Sequence, residues 1–139
     1  MSVDWAAVRV GDERRFDAGE IGRFHFVRYA GASGDFNPLH YDDAAARDAG
    51  QQRVFGQGML TAGILSGIPA AWFGPESLRR FAVRFRARLW PGDRVSCWGR
   101  VVRVYRQGDR LQADLLLSAK NQNGDVLVRG EATVREWRP

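Results

Sequence analysis

The sequence predicts an α+β fold in which an antiparallel sheet wraps one long buried helix. Residues 59–73 form the most apolar segment and include several small residues, which is typical of a buried helix. From residue 81 onward apolar and polar residues alternate, which predicts β-strands. No further helix separates these strands, so neighbouring strands are predicted to run antiparallel.

Turn residues divide the second half of the chain into four predicted strands. The strands span residues 81–89, 95–105, 111–119 and 126–137, and are expected to form a meander. The first half predicts a loose arm with one helical turn (1–12), a strand (14–23) and a helix (24–32). Phe24, Val27 and Phe26 are predicted to face inward from that helix. Pro69 is predicted to kink the long helix or to mark its last turn.

Composition and length predict a single globular domain spanning residues 1–139, with a core of about residues 10–136. Hydrophobic residues make up 45% of the chain and charged residues 27%. One cysteine, Cys97, excludes a disulfide framework and a cysteine metal cluster. The sequence carries no signal-peptide pattern and no apolar stretch of transmembrane length, so a cytoplasmic protein is expected.

The formal net charge is +5, and Lys120 is the only lysine among the 21 basic residues. The arginines are scattered, and no basic helix or zinc module accompanies them. Nucleic-acid binding is therefore not expected.

A short polar loop at residues 33–40 carries the residues best suited to proton transfer. Asp35 and His40 place a carboxylate and an imidazole five residues apart, and Pro38 restricts the backbone between them. Asn37 can bond to neighbouring backbone and hold the loop's shape. Spacing alone leaves open that Asp35 only caps a turn. Asp42 predicts the start of a short helix, and Gly50 its end.

The glycines before the long helix form a second candidate site. Gly56 and Gly58 flank Gln57 where the helix is predicted to begin. Backbone N–H groups at a helix start are unpaired and carry partial positive charge, so they can bind a carbonyl oxygen. On its own, this pattern is equally compatible with a loop end.

Three segments together resemble the MaoC-like dehydratase, or (R)-specific enoyl-CoA hydratase, family. They are residues 29–42 (YAGASGDFNPLHYD), 58–63 (GMLTAG) and 89–93 (LWPGD). The resemblance covers about residues 10–136. It implies a hot-dog fold, a curved antiparallel sheet around a long central helix, and a dimer whose two sheets join.

The resemblance also implies roles for particular residues. Asp35 and His40 match the catalytic pair, Asn37 the residue that supports their loop, and Gly58 the backbone donor to the thioester carbonyl. Ser66 matches a pocket-lining position. Gln57 stands where the family usually has histidine, which bears on the shape of the carbonyl site. His25, the only other histidine, is expected to be structural.

These features lead us to expect a hydro-lyase that hydrates 2-enoyl thioesters reversibly to 3-hydroxyacyl thioesters. No metal or redox cofactor is expected, since CoA or phosphopantetheine belongs to the substrate. The chain is expected to form a homodimer, or a heterodimer with a related subunit, and to contact no membrane. The alternatives are a hot-dog thioesterase and the active subunit of a heterodimeric dehydratase. Arg84, Arg86 and Arg88 are candidates for phosphate contacts or for a solvated strand face.

Overall fold

A computed structural model describes residues 3–138 and confirms the predicted α+β architecture. Five antiparallel strands surround one long helix, which is the layout of a hot-dog fold. The elements are β1 (Glu13–Ile21), α1 (Arg23–Ser33), α2 (Asp43–Asp48), α3 (Gly58–Phe73), β2 (Leu78–Phe85), β3 (Asp93–Gln107), β4 (Arg110–Lys120) and β5 (Val126–Arg135). The predicted helical turn of the N-terminal arm is a 3-10 turn at Trp5–Ala7.

The strand order is β1-β3-β4-β5-β2, so the predicted meander is correct for three of its four strands. β3, β4 and β5 are joined by hairpins, but β2 pairs with β5 at the far edge of the sheet. The connection from β2 to β3 crosses the N-terminal end of α3, where Leu89 is buried and accepts a hydrogen bond from the N–H of Gly56 at 2.8 Å. This connection takes the chain from β2, at one edge of the sheet, to β3, which lies beside the opposite edge strand β1.

α3 lies against the inner face of the sheet and forms the centre of the core. Leu65, Ile68 and Phe73 are buried from the helix side. Gly99 on β3 and Gly130 on β5 allow the close approach of the helix: a Cβ on Gly99 would lie 2.6 Å from a methyl carbon of Ile68. Within residues 3–138, no helix is long and apolar enough to cross a membrane.

Two sequence predictions are wrong in detail. The strand predicted at 81–89 ends at Phe85, because the N–H groups of Arg86 and Ala87 both turn to the carbonyl of Leu127 and the ladder stops. In α1, Phe26 is 1% exposed as predicted, but Phe24 is 67% and Val27 58% exposed. The inner stripe of α1 is Phe26 and Ala30, four residues apart, so the other two side chains face away.

Pro69 lies inside α3, one turn before the helix ends at Phe73. Near the start of α1, Nδ1 of His25 accepts the N–H of Gly22 at 3.0 Å. His25 therefore caps the helix, as a structural histidine would.

Candidate active site

Side chains of the loop itself fix the turns between α1 and α2. α1 ends at Ser33, and Gly34, which caps it, has a φ of +77° in the left-handed region that favours glycine. The side chain of Asn37 accepts the N–H of Leu39 at 3.1 Å and so caps the short turn that follows. Asp35 in turn accepts the N–H of Asn37 at 3.3 Å. The Asn37 side chain and backbone thus both hold the loop in shape.

The loop brings Asp35 and His40 together at the surface. Asp35 Oδ2 lies 3.8 Å from His40 Nε2, which is too long for a direct hydrogen bond. A single water oxygen about 2.8 Å from both atoms would fit this geometry. The His40 side chain is 10% exposed and that of Asp35 45% exposed, so solvent reaches the pair from the aspartate side.

The backbone carbonyl of Phe55 orients the His40 ring. His40 Nδ1 lies 2.7 Å from this oxygen, and a carbonyl oxygen only accepts, so the proton is assigned to Nδ1. In the neutral ring Nε2 is therefore an acceptor, and it is the atom that faces Asp35. The ring of Phe55 also packs edge-on against His40, with ring centroids 5.2 Å apart.

Asp43 holds the segment that leads into Phe55. Its Oδ1 accepts the N–H of Val54 at 3.0 Å, and its Oδ2 pairs with Arg23 at 2.7 Å. The Val54 N–H, followed by the Arg23 guanidinium, keeps the pKa of the Asp43 carboxyl below its usual value. One carboxylate thus joins the start of α1, α2 and the segment beside His40. The neighbouring Asp42 caps α2 by accepting the N–H groups of Ala44 and Ala45, as predicted.

Gly58 is the first residue of α3, so its N–H has no partner within the helix. It borders a cleft of about 290 Å³ whose wall also includes Phe55, Thr61 and Phe85. A Cβ at Gly58 would lie 3.0 Å from the Phe85 ring, so glycine keeps this approach open. Phe55 joins the two parts of the site, because it lines the cleft and its carbonyl holds His40.

Two candidate pocket residues lie elsewhere. Ser66 lies about two turns beyond Gly58 on α3 and does not line the cleft. Its hydroxyl donates to the carbonyl of Gly63 at 2.7 Å. Gln57 is 1% exposed and lies behind the cleft wall, where its Nε2 donates to the carbonyl of Phe26 at 3.0 Å. Its Oε1 is buried without a hydrogen-bond partner among residues 3–138.

Sequence reasoning missed several residues of the cleft wall. Phe55 belongs to no motif, Thr61 lies within the 58–63 segment but has no role marked by it, and Phe85 falls inside a longer predicted strand. The sequence groups Arg84, Arg86 and Arg88 on one predicted strand, yet only Arg86 and Arg88 line the cleft beside Gly58. β2 ends at Phe85, so Arg86 and Arg88 lie beyond the strand that carries Arg84. The alternating sequence pattern continues to residue 89 and does not indicate this end.

Comparison with known proteins gives the chain its family. The family described as MaoC like domain matches residues 8–121. The (R)-specific enoyl-CoA hydratase of Aeromonas caviae is 32% identical over 124 residues, which are 88% of this chain and 87% of that protein.

The solved structure of the A. caviae (R)-hydratase involved in PHA biosynthesis is similar, with a TM-score of 0.81 and 28% identity over 92% of this chain and 96% of that one. A mitochondrial 3-hydroxyacyl-[acyl-carrier-protein] dehydratase of Arabidopsis thaliana is 29% identical over 76% of this chain, which spans 64% of that relative. With most of its length matched by the family and its fold shared with a solved hydratase, the chain belongs to the MaoC-like domain family.

Proposed function

We propose that this protein is a hydro-lyase that adds water reversibly to 2-enoyl thioesters and forms 3-hydroxyacyl thioesters. The observation that carries the proposal is the 3.8 Å separation of Asp35 Oδ2 and His40 Nε2, with Nδ1 of the same ring held by the Phe55 carbonyl. The hydratase and dehydratase activities named for its relatives support the same reaction.

The mechanism uses the pair as one acid–base unit. A water held between Asp35 and His40 attacks C3 of the enoyl group and loses one proton to the pair. The pair then returns one proton to C2, so the product gains the elements of one water. Dehydration follows the same steps in reverse.

The start of α3 supplies the electrostatic part of the mechanism. The Gly58 N–H points from the positive end of the helix and would donate to the thioester carbonyl oxygen. Negative charge grows on that oxygen as water adds to C3, so this hydrogen bond is stronger in the transition state than in the ground state. Asn37 contributes by holding the loop in which Asp35 lies.

The reaction as proposed needs no metal and no redox cofactor, because CoA or phosphopantetheine enters as part of the substrate. We further propose that the chain acts as one domain, in the cytoplasm, as a homodimer or paired with a related subunit. Two features support a second chain: β2 is an edge strand of the sheet in the described residues 3–138, and the apolar side chains of Phe24, Val27, Phe36 and Met59 are exposed.

The decisive experiment measures hydration of crotonyl-CoA by loss of enoyl absorbance. Asp35→Asn and His40→Ala are each expected to lower kcat/KM by about 10²- to 10⁴-fold, since each removes an acid–base group. The matched controls are Asp48→Asn, on the exposed side of α2, and His25→Gln, at the other histidine. Unchanged rates in both active-site variants would refute the proposal, and release of free thiol at a comparable rate would instead indicate a thioesterase.

A further inference from the structure

Gln57 directly precedes α3 and is 1% exposed, yet its side chain does not cap the helix. Its Nε2 instead donates to the backbone carbonyl of Phe26 at 3.0 Å, across 31 positions of sequence. A carbonyl oxygen only accepts, so the orientation of the Gln57 amide is fixed, with Oε1 on the other side. A buried hydrogen bond therefore joins α1 to the start of α3.

A second buried glutamine, Gln112 on β4, shows the usual surroundings of such a side chain. It is 4% exposed, and its Nε2 donates to the side chain of Gln107. Its Oε1 lies 3.5 Å from the hydroxyl of Tyr105. Both polar atoms of this amide thus face a polar partner, as is usual for buried polar groups.

The amide of Gln57 is not explained by local structure in the same way. Phe26 lies within α1, so its carbonyl already has a helical partner in the N–H of Ala30, four residues later. The Gln57 Oε1 has no hydrogen-bond partner among residues 3–138. A buried amide with one end unpaired costs free energy compared with an apolar side chain of the same shape. The stability of the fold therefore gives no reason for an amide at this position.

Residues 55–58, which we call the bridging segment, connect the loop around His40 to α3. At its start, Phe55 contacts that loop twice. Its N–H donates to the carbonyl of Leu39 at 3.3 Å, and its carbonyl oxygen lies 2.7 Å from His40 Nδ1. At its end, Gly58 begins α3. The start of the bridging segment is thus fixed against the loop.

Gln57 fixes the other end of the bridging segment against α1. This helix leads directly into the same loop, because Gly34 caps α1 and Asp35 follows. Close backbone approaches between α1 and α3 are otherwise sparse. The segment also packs tightly on α1, since a Cβ at Gly56 would lie 2.9 Å from the ring of Phe26. The bond from Gln57 thus links the helix before Asp35 to the helix that offers the carbonyl donor.

The shape of the substrate makes this link important for the reaction. In a 2-enoyl thioester the carbonyl oxygen, C2 and C3 belong to one conjugated group, so the oxygen and C3 keep a fixed spacing in the bound molecule. The donor to the oxygen and the water that attacks C3 must match this spacing at the same time. A misplacement of about 1 Å can lower a rate by about a hundredfold.

We propose that Gln57 is a positioning residue, whose bond to α1 holds the Gly58 N–H at the correct distance from the acid–base pair. This inference rests on the proposed hydratase function and adds to it a residue that touches no substrate. The effect acts on the transition state, in which the charge on the carbonyl oxygen is largest. It should therefore appear in kcat and leave KM nearly unchanged.

The test compares Gln57→Met with the wild type in the hydration of crotonyl-CoA. Methionine is of similar length and carries no amide, so it removes the hydrogen bond and keeps the site filled. We expect kcat to fall at least about tenfold, with KM within about twofold of the wild type. The pH profile of kcat should keep its midpoints, because the hydrogen bonds of Asp35 and His40 do not involve Gln57.

The matched control is Gln112→Met, which removes a buried amide from β4, away from the cleft. This control should keep the kcat of the wild type. It should lose more melting temperature than Gln57→Met, because it leaves Gln107 and Tyr105 without their partner, whereas Gln57→Met also removes an unpaired oxygen. Three outcomes would overturn the inference: wild-type kcat in Gln57→Met, a similar fall of kcat in both variants, or a larger loss of melting temperature in Gln57→Met than in the control.

Amide hydrogen exchange measures the positioning without any substrate. Exchange should rise in Gln57→Met at residues 60–63, the first hydrogen-bonded amides of α3, and should match the wild type in β5. Unchanged exchange at residues 60–63 would overturn the inference whether or not crotonyl-CoA is a substrate.

The proposed function and the inference fail in different ways. If the wild type does not hydrate crotonyl-CoA, the proposed function fails, and hydrogen exchange alone decides whether Gln57 holds the start of α3. If Asp35→Asn is inactive while Gln57→Met is as active as the wild type, the proposed function stands and the inference fails.

Discussion

The loop around His40 and the sheet behind α3 are held by different forces. The loop owes its shape to hydrogen bonds that the side chains of Asp35, Asn37 and Asp43 accept from backbone N–H groups, and most of its side chains are exposed. The sheet and α3 are held by burial of apolar side chains, with Leu115 and Leu65 almost fully enclosed. The difference teaches that catalysis and stability are separable here: damage to the loop should reach activity first, and damage to the sheet should reach folding first.

The largest stability change is expected at Leu115 on β4, which is 1% exposed. Leu115→Ala leaves a cavity against α3 and should lower the free energy of unfolding by about 2–5 kcal/mol. Urea denaturation measures this change. The kcat of the folded fraction should stay close to that of the wild type, because the side chain does not line the cleft. A large fall in kcat without loss of stability would contradict the separation of the two regions.

A smaller loss of stability is expected at alkaline pH, and it comes from Cys97 on β3. Burial raises the pKa of this thiol from its ordinary value of 9.0 to about 11. Above pH 9 the unfolded chain releases the thiol proton while the folded chain keeps it, so stability falls as pH rises from 9 to 11. The total loss should approach about 2–3 kcal/mol, from about 1.4 kcal/mol per pKa unit.

Urea denaturation between pH 8 and pH 11 tests this, with Cys97→Ala as the reference that removes the contribution of the thiol. The wild type should lose stability with a steeper slope than the variant. Equal slopes would show that the thiol ionises as readily in the folded chain as in the unfolded one. Slow alkylation of the native protein at pH 8 should accompany the effect.

The smallest change in stability is expected at Asp43, whose carboxylate holds the segment beside the His40 loop. Asp43→Asn keeps the shape of the side chain but removes its charge beside Arg23, so the segment that bears Phe55 should loosen. We expect a several-fold fall in kcat with little change in KM or in melting temperature, as for an exposed ion pair of small net energy.

The pH dependence gives a second readout for Asp43. Its pKa is lowered in the folded protein, so its stabilising contribution is present above the unfolded pKa and is lost as pH falls through the folded value. The acid side of the stability profile should therefore flatten in Asp43→Asn. A variant with wild-type kcat and an unchanged acid limb would show that this carboxylate does not position the site.

Local patterns in the sequence are enough to predict the individual elements, because alternation and apolar runs reflect neighbours along the chain. The long helix, the hairpins and the loop of Asp35 and His40 are all found in this way. The partner of β2 is different, because its pairing with β5 depends on a connection that crosses α3. In α1 the apolar residues surround most of the helix, so sequence periodicity alone does not select Phe26 over Phe24.

The candidate site was only partly predictable for the same reason. Asp35, Asn37 and His40 lie within six residues and share one loop, so a short motif reveals them. Phe55 lies 15 residues after His40 and is brought to it by tertiary structure. The family resemblance marks the positions of Ser66 and Gln57, yet the direction of a side chain depends on packing that the resemblance does not encode.

The contact between Phe55 and His40 also bears on how such an enzyme can acquire new substrates. The atom that orients the imidazole is a backbone oxygen, which every amino acid at position 55 would supply. The side chain at the same position forms part of the cleft wall. Under the proposed mechanism, variation at this position would reshape the cleft and the packing against the imidazole, while the backbone hydrogen bond to Nδ1 would be kept.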